Sequence, residues 1–430
     1  MIELLGEISL ADLRFGEAPL PEPAPGYEPK TDATAIVAPG YRSPAQRPVP
    51  GRLIHTSLGP GQRTLLRIPD AWNGKLLAAG TPATRSEFAN DLVFGETALA
   101  GGYAFVSSNK GIAYNVILGP EPDGGGDDTY IPPFGGVLPE GVGLRLGALD
   151  PAPSAIESWN DDYANTVAFA RAELRRRRGT EPERTYAVGL SNGGAQVRAL
   201  LERRPELVDG GLDWAGVGWA RERNLLTILP AYVAATLPLA GGGAVAAEDR
   251  ARLLALGFPD DRRQDDAAHP SLWRDYLAWP PFYCDLSTFL YSRLLDREAP
   301  PLRTLEARIA YRPSAAALER IGRLAPAGRI GRPLVAVAGN ADILIPPAIN
   351  FSPYLERIVA AGEGGRAWFY EVDGGTHVDS FSAFGYGLQP QYPFAAAALD
   401  QLVAIVERGY LPPGAGSVRA VRDPAEITAA

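Results

Sequence analysis

The segment TYAVGLSNGGAQVRALLERR, residues 185–204, constrains the fold more than any other part of the chain. Its first half is a β-rich apolar run and its second a run of helix formers stopped before Pro205, so a strand must turn into a helix within a few residues. Those residues, Gly189-Leu190-Ser191-Asn192-Gly193, fit G-x-S-x-G. In that pattern a serine sits in a strained strand-to-helix turn, and the glycines let neighbouring backbone approach without a Cβ clash. A bare match is weak in a chain with 48 glycines, and the strand before it and the helix after it make it specific. The plainer alternative is Ser191 as an ordinary helix N-cap.

The same rhythm of strand and helix recurs. RLIHTSL and RTLLRIPD, at hairpin spacing around GPGQ, read as antiparallel strands, followed by strands in KLLAAG and YAFVSSN. A helix follows Asn160 or Asp161 with Tyr163, Val167, Ala170 and Leu174 on one face and Gly179 as its stop. Its basic run at residues 175–178 lies in the last turn, where the helix dipole favours cations. Further strands are expected in LDWAGVGW, PLVAVAG and AWFYEV, and helices in FSPYLERIVAAG and AAAALDQLVAIVERG. Strands alternating with helices predict a mostly parallel sheet covered on both faces. Residues 220–332 interrupt that alternation and read as an inserted, mainly helical cap. The expected organisation is therefore a Pro-rich lead-in (1–50), a catalytic domain (51–219 and 333–411), the cap (220–332) and a tail (412–430). Residues 117–155 are too rich in Gly and Pro to predict a packed element. Asp123, Asp127 and Asp128 there lack an EF-hand's spacing and read as a solvated acidic loop.

A serine nucleophile needs a base, and the chain has three histidines, His55, His269 and His377. In strand-turn-helix sites of this kind the acid follows the serine and the histidine comes last. His377 comes after AWFYEVDGG, whose glycines suit a sharp turn back over the sheet, and Asp342 follows PLVAVAGN at a strand end. A carboxylate there would hold the imidazole tautomer. Asp379 and Asp373 are the runner-up acids, both too local to reach the outer ring nitrogen. His55 alternates inside a strand and reads as structural; His269 lies in the insertion. Oxyanion donors are expected from the Asn192 N–H at the helix start and from the loop after KLLAAG. Pro82 has no N–H, which leaves Thr81 or Ala83, with Thr81 preferred, or a side chain such as Arg85. Aromatic residues are candidates for lining a pocket, Trp214 beside the site and Trp273, Trp279 and Tyr283 in the insertion, although most cap aromatics are expected to form its own core. Cys284 has no local basic partner and reads as a buried apolar residue.

Composition narrows the partners. A net charge of −9 repels nucleic acid phosphates and anionic lipid heads. A single cysteine forms no intramolecular disulfide, which permits a reducing compartment. The stretch MIELLGEISLADLRFGE lacks a basic n-region and a long apolar h-region, and no apolar run of ~20 residues follows. The expectation is a cytoplasmic protein, with a trimmed secreted chain as the alternative, that binds neither nucleic acid nor membrane and is compatible with a homo-oligomer.

AVGLSNGGAQ, GNADILIPPAINFSPYLERI, EVDGGTHVDSF, RGYLPP and SSNKG resemble the D-3-hydroxybutyrate oligomer hydrolases, esterases of the α/β-hydrolase fold. Tannases and feruloyl esterases are more distantly similar. The resemblance is clearest in the last hundred residues and around Ser191. It implies Ser191 as nucleophile, Asp342 as acid and His377 as base, with neither cofactor nor metal. The chain is shorter than typical oligomer hydrolases and lacks the cysteines that tie the serine and histidine loops of tannase-type enzymes. Hydrolysis of short hydroxyalkanoate oligomers is the leading expectation. Aromatic or phenolic esters, including synthetic polyester fragments, acyl transfer through the same triad, and a non-catalytic binding module are the alternatives.

Overall fold

The structure, a computed structural model, describes residues 2–22, 28–38, 40–111, 114–120, 130–131, 143–148, 156–261, 271–273, 280–384 and 386–428. The chain begins with β1 (Glu3–Leu10), α1 (Pro29–Thr34), β2 (Gly51–Gly59), β3 (Gln62–Pro69), β4 (Lys75–Gly80), α2 (Glu96–Ala100) and β5 (Ala104–Ser108). Next come β6 (Tyr114–Gly119), β7 (Tyr130–Ile131), β8 (Gly143–Ala148), α3 (Trp159–Arg178), β9 (Arg184–Leu190), α4 (Asn192–Arg203) and β10 (Gly210–Trp214). The insertion follows as α5 (Leu225–Ala240), α6 (Ala247–Leu256), α7 (Pro280–Leu295), α8 (Leu305–Ala310) and α9 (Ala315–Leu324). The chain then returns through β11 (Leu334–Gly339), α10 (Pro347–Asn350), α11 (Ser352–Ala360), β12 (Ala367–Val372), α12 (Tyr392–Arg408), β13 (Val418–Val421) and α13 (Ala425–Thr428).

The main sheet has the order β1-β2-β3-β5-β4-β9-β10-β11-β12-β13. β1, β2, β3 and β5 pair antiparallel, and every pair from β5 to β13 is parallel. β9, β10 and β11 are buried along almost their whole length, as strands covered on both faces must be. On one face Ala78, Ala187 and Ala336 pack under Tyr163 and Val167 of α3, Leu200 of α4 and Ile358 of α11. On the other, Val188, Leu212 and Val337 meet Phe394, Ala398 and Leu402 of α12. The order reverses between β4 and β9, since β5 lies on one side of β4 and the later strands lie on the other. A crevice opens at the carboxyl ends of strands at such a switch point, which is where open α/β sheets bind ligands.

The β2–β3 hairpin forms where the sequence predicts it, and α3 ends at Gly179 (φ 80°) as expected but starts at Trp159 after Ser158, so Asn160 and Asp161 lie in its first turn and do not cap it. The insertion is helical among its described residues, and its core (Tyr232, Phe258, Trp273, Phe289, Tyr291) is continuous with Val217, Trp219, Ile343 and Ile349 of the catalytic side. Asn224, Thr304 and Ser314 cap three of its helices by accepting backbone N–H groups.

Three expectations need correction. Residues 1–50 are more than a lead-in: β1 pairs with β2, and Leu13, Phe15, Ile36 and Val37 are buried. β1 is an edge strand exposed along most of its length, so it lacks the buried-exposed alternation that marks a strand in sequence. The 412–430 tail adds β13 to the sheet and buries Ile427. Where no packed element is expected, in residues 117–155, β6, which begins at Tyr114, pairs with β8 and β8 with β7 in a small antiparallel sheet, because a ladder is made by backbone groups that glycine also carries. Asp123, Asp127, Asp128 and His269 lie outside the described residues. Among the described residues no helix is long and apolar enough to cross a membrane.

Candidate active site

Ser191 sits between β9 and α4 with φ 59° and ψ −119°, a conformation that costs on the order of 1–3 kcal/mol for a residue with a side chain. Three backbone bonds over-determine it: its N–H donates to Trp214 O at 2.9 Å, and its carbonyl accepts from Ala195 N and Val217 N, each at 3.1 Å. Close approach does the rest. A Cβ on Gly189 would stand 2.3 Å from the Gly193 carbonyl oxygen, and one on Gly193 would stand 2.2 Å from Gly80 O. Beneath the turn, Arg198 of α4 pairs with Asp213 of β10 at 2.6 Å, both fully buried, and reaches Asn350 O at 2.8 Å. Burial raises Asp213, and the Arg198 guanidinium opposes that rise.

Two strands away, Asp342 leaves the end of β11 and His377 follows β12. Nδ1 of His377 lies 2.7 Å from Asp342 Oδ2, both residues buried. The other carboxylate oxygen accepts from Ile345 N at 2.8 Å, which fixes the plane of the acid. An ionised carboxylate only accepts, so Nδ1 carries the hydrogen and Nε2 is left as the basic nitrogen. The two loops are stitched together by Ala341 N to Gly375 O at 2.9 Å and Asn340 N to Val372 O at 3.0 Å. Ser191 is 7% exposed, and among the described residues its hydroxyl makes no hydrogen bond. Links between nucleophile and base are often long before substrate binds.

The runner-up acids have other work. Asp373 accepts from Asn340 and Arg422 at the surface. Asp379 accepts from Gln391 N at 2.6 Å and Tyr392 N at 3.1 Å and so holds the start of α12. Burial pushes Asp379 up to about 6, against the pull of those two N–H groups. Its folded pKa therefore exceeds the ordinary carboxylate value, so the folded state binds the extra proton and stability falls as pH rises from about 4 to about 6. Asp379→Asn is expected to flatten the urea midpoint against pH across that window; an unchanged slope contradicts this assignment.

The oxyanion loop differs from the sequence expectation. Thr81 N–H is already spent on Gln196 Oε1 at 3.0 Å, and the Thr81 hydroxyl on Ser108 O, so Thr81 is no free donor. Ala83, with φ 44°, makes no hydrogen bond through its N–H among the described residues, and Pro82 O accepts from Arg85 N at 3.3 Å across the turn. Asn192 opens α4, where the first N–H groups have no intrahelical partner. Its side-chain Nδ2 donates to the hydroxyl of Tyr291 on α7, while its Oδ1 is buried without a partner. This bond ties the residue after the nucleophile to the cap.

Two of the four aromatic candidates belong to cores. Strand alternation sends Trp214 to the α12 side of the sheet, fully buried and edge-on to Phe94 at 6.2 Å. Trp273 is buried in the cap, its Nε1 donating to Pro259 O at 3.1 Å. Both are packed as core residues. Trp279 and the side chain of Tyr283 lie outside the described residues. His55 is buried against Glu87 at 3.1 Å, and burial pushes the Cys284 thiol up and away from thiolate chemistry. Gln196 and Lys110 lie in the AVGLSNGGAQ and SSNKG stretches, but nothing in those stretches announces their contacts, and Tyr291 and the Arg198–Asp213 pair carry no motif of their own. Only chain folding brings them to the site.

The fold is that of the α/β-hydrolases. It is similar to feruloyl esterase B from Aspergillus oryzae, with TM-score 0.54 and 12% identity over 96% of this chain and 88% of that one. A second esterase from Aspergillus oryzae has TM-score 0.50 and 11% identity over the same shares. In sequence the chain is similar to the D-(-)-3-hydroxybutyrate oligomer hydrolase of Polaromonas sp. (strain JS666), 34% identical over 95 residues, which are 21% of this chain and 14% of that protein. The enzyme of the same name from Polaromonas naphthalenivorans matches at 34% over 96 residues, again 14% of its length. The match thus spans about one seventh of these curated relatives. No family model matches the chain.

Proposed function

We propose that the chain is a serine hydrolase of carboxylic esters, acting on short 3-hydroxybutyrate oligomers. The observation that carries this reading is the buried Asp342–His377 pair, 2.7 Å apart, on the same sheet edge that holds Ser191 in its strained turn. In the proposed reaction Ser191 Oγ attacks the ester carbonyl and its proton passes to His377 Nε2. The Asn192 and Ala83 N–H groups hold the oxyanion. The bond to the alcohol breaks as His377 returns the proton to that oxygen, leaving an acyl-serine. Water then attacks the acyl carbon, gives its proton to the same nitrogen, and the acid departs with Ser191 re-protonated. Asp342 remains ionised and steadies the imidazolium. The choice of acyl group rests on the short stretch of similarity to the two oligomer hydrolases.

A panel of 3-hydroxybutyrate dimer and trimer, methyl ferulate, methyl gallate and a short acyl 4-nitrophenyl ester tests it. The expected result is the largest kcat/KM on the oligomers, with free 3-hydroxybutyrate as product. A ranking led by the ferulate or gallate ester replaces the substrate assignment, and absence of turnover on all of them overturns the hydrolase reading.

A further inference from the structure

Among the described residues four other than glycine hold a positive φ: Ala83 at 44°, Lys110 at 48°, Ser191 at 59° and Ala215 at 46°. Each follows the carboxyl end of one of four adjacent strands, β4, β5, β9 and β10. Backbone of this kind is strained for any residue with a Cβ and gathers where the surrounding structure over-determines it. Ser191 is held by the elbow, and no motif explains Ala83.

Lys110 does. Its side chain is fully buried, and its Nζ donates to the carbonyls of Thr81 and of Ala83, the latter at 2.6 Å, one on each side of Pro82. The ammonium also lies 4.5 Å from the centre of the Trp159 ring. Trp159 O in turn accepts from Gln196 Nε2 at 2.8 Å, and Gln196 Oε1 accepts from Thr81 N. The loop after β4 is thus gripped from both ends. Arginine supplies nearly all the other cations of this chain, yet a lysine stands here. A compact ammonium with three rotatable donors can meet two carbonyls and an indole face at once.

We propose that Lys110 is a positioning residue for the oxyanion hole: its buried ammonium clamps the Thr81 and Ala83 carbonyls, holds Ala83 in its left-handed conformation, and so keeps the Ala83 N–H directed at the substrate carbonyl. The same positive charge lies one peptide away from the developing oxyanion. This inference rests on the hydrolase reading above and adds a residue that touches neither substrate nor the reacting atoms.

The test is a double-mutant cycle on the ester that the wild type turns over best, comparing Lys110→Met, Ala83→Gly and both together, alongside binding of a trifluoromethyl ketone that mimics the tetrahedral adduct. Lys110→Met is expected to lower kcat by about 100-fold, the cost of losing one oxyanion donor, with KM nearly unchanged and ketone affinity reduced in step with kcat. In the Ala83→Gly background the penalty shrinks, because glycine adopts the left-handed turn unaided. Lys110→Gln serves as the second variant should Lys110→Met fail to fold, with the same pattern expected. An unchanged kcat, a loss confined to KM, or an equal penalty in both backgrounds overturns the positioning role. A wild type without ester turnover sinks the hydrolase reading instead.

Discussion

Ser191→Ala and His377→Ala are each expected to lower kcat on a short acyl ester by about 10⁵-fold or more, with KM and the thermal midpoint close to wild type. The reason is that nucleophile and base act as a unit. Without the serine no acyl-enzyme forms, and without the imidazole the serine proton has no acceptor. The double variant should therefore be no worse than either single one, and the rate left over reflects the oxyanion donors and binding alone. Asp342→Asn is expected to cost about 10⁴-fold, since an amide at the 2.7 Å contact presents a donor to Nδ1 and selects the wrong tautomer. Steady-state kinetics on purified variants, with circular dichroism to confirm the fold, check all three. Additive losses, or an Asp342→Asn variant as active as wild type, contradict the assignment.

Gly193→Ala is expected to destabilise the fold by about 3 kcal/mol or more, at the upper end of what single substitutions do. An added methyl would stand 2.2 Å from Gly80 O and 2.6 Å from Gly80 C, and both atoms belong to the backbone of the central strand β4. No rotamer change relieves that contact. The first turn of α4 must instead back away from β4, and the Asn192 N–H moves with it. Urea unfolding reads the stability, and a residual activity assay reads the displacement. Gly365→Ala, where nothing lies within 4 Å of the added carbon, is the matched control and should stay within about 0.5 kcal/mol of wild type. Equal stability of the two variants would mean that α4 does not sit against β4 as described.

What was legible in the sequence was local or ordered along the chain. The elbow around Ser191 spans five residues, the α3 stripe repeats every three or four, and the order of serine, acid and histidine is a property of chain direction. Asp342 and His377 were nameable because each follows a strand and the chain holds few histidines. Their contact, across 35 residues, is visible only in the fold. Thr81 shows the limit. Its N–H is consumed by a glutamine 115 residues away, which no local pattern announces. Trp214 belongs to the core for a different reason: both faces of the fully buried β10 are covered by helices, so strand phase decides only which of the two cores it joins, and no polar alternation sets that phase. β1 and β13 leave no mark in the sequence because edge strands bury too little to carry a signal.

The central claim is that Ser191 is an activated nucleophile, and covalent labelling tests it most directly. The protein incubated with a fluorophosphonate, digested and sequenced by mass spectrometry should carry one adduct per chain, on Ser191. That adduct should be absent from Ser191→Ala and form far more slowly in His377→Ala. Labelling that persists in Ser191→Ala, or an unmodified Ser191 in a protein that hydrolyses esters, would contradict the account.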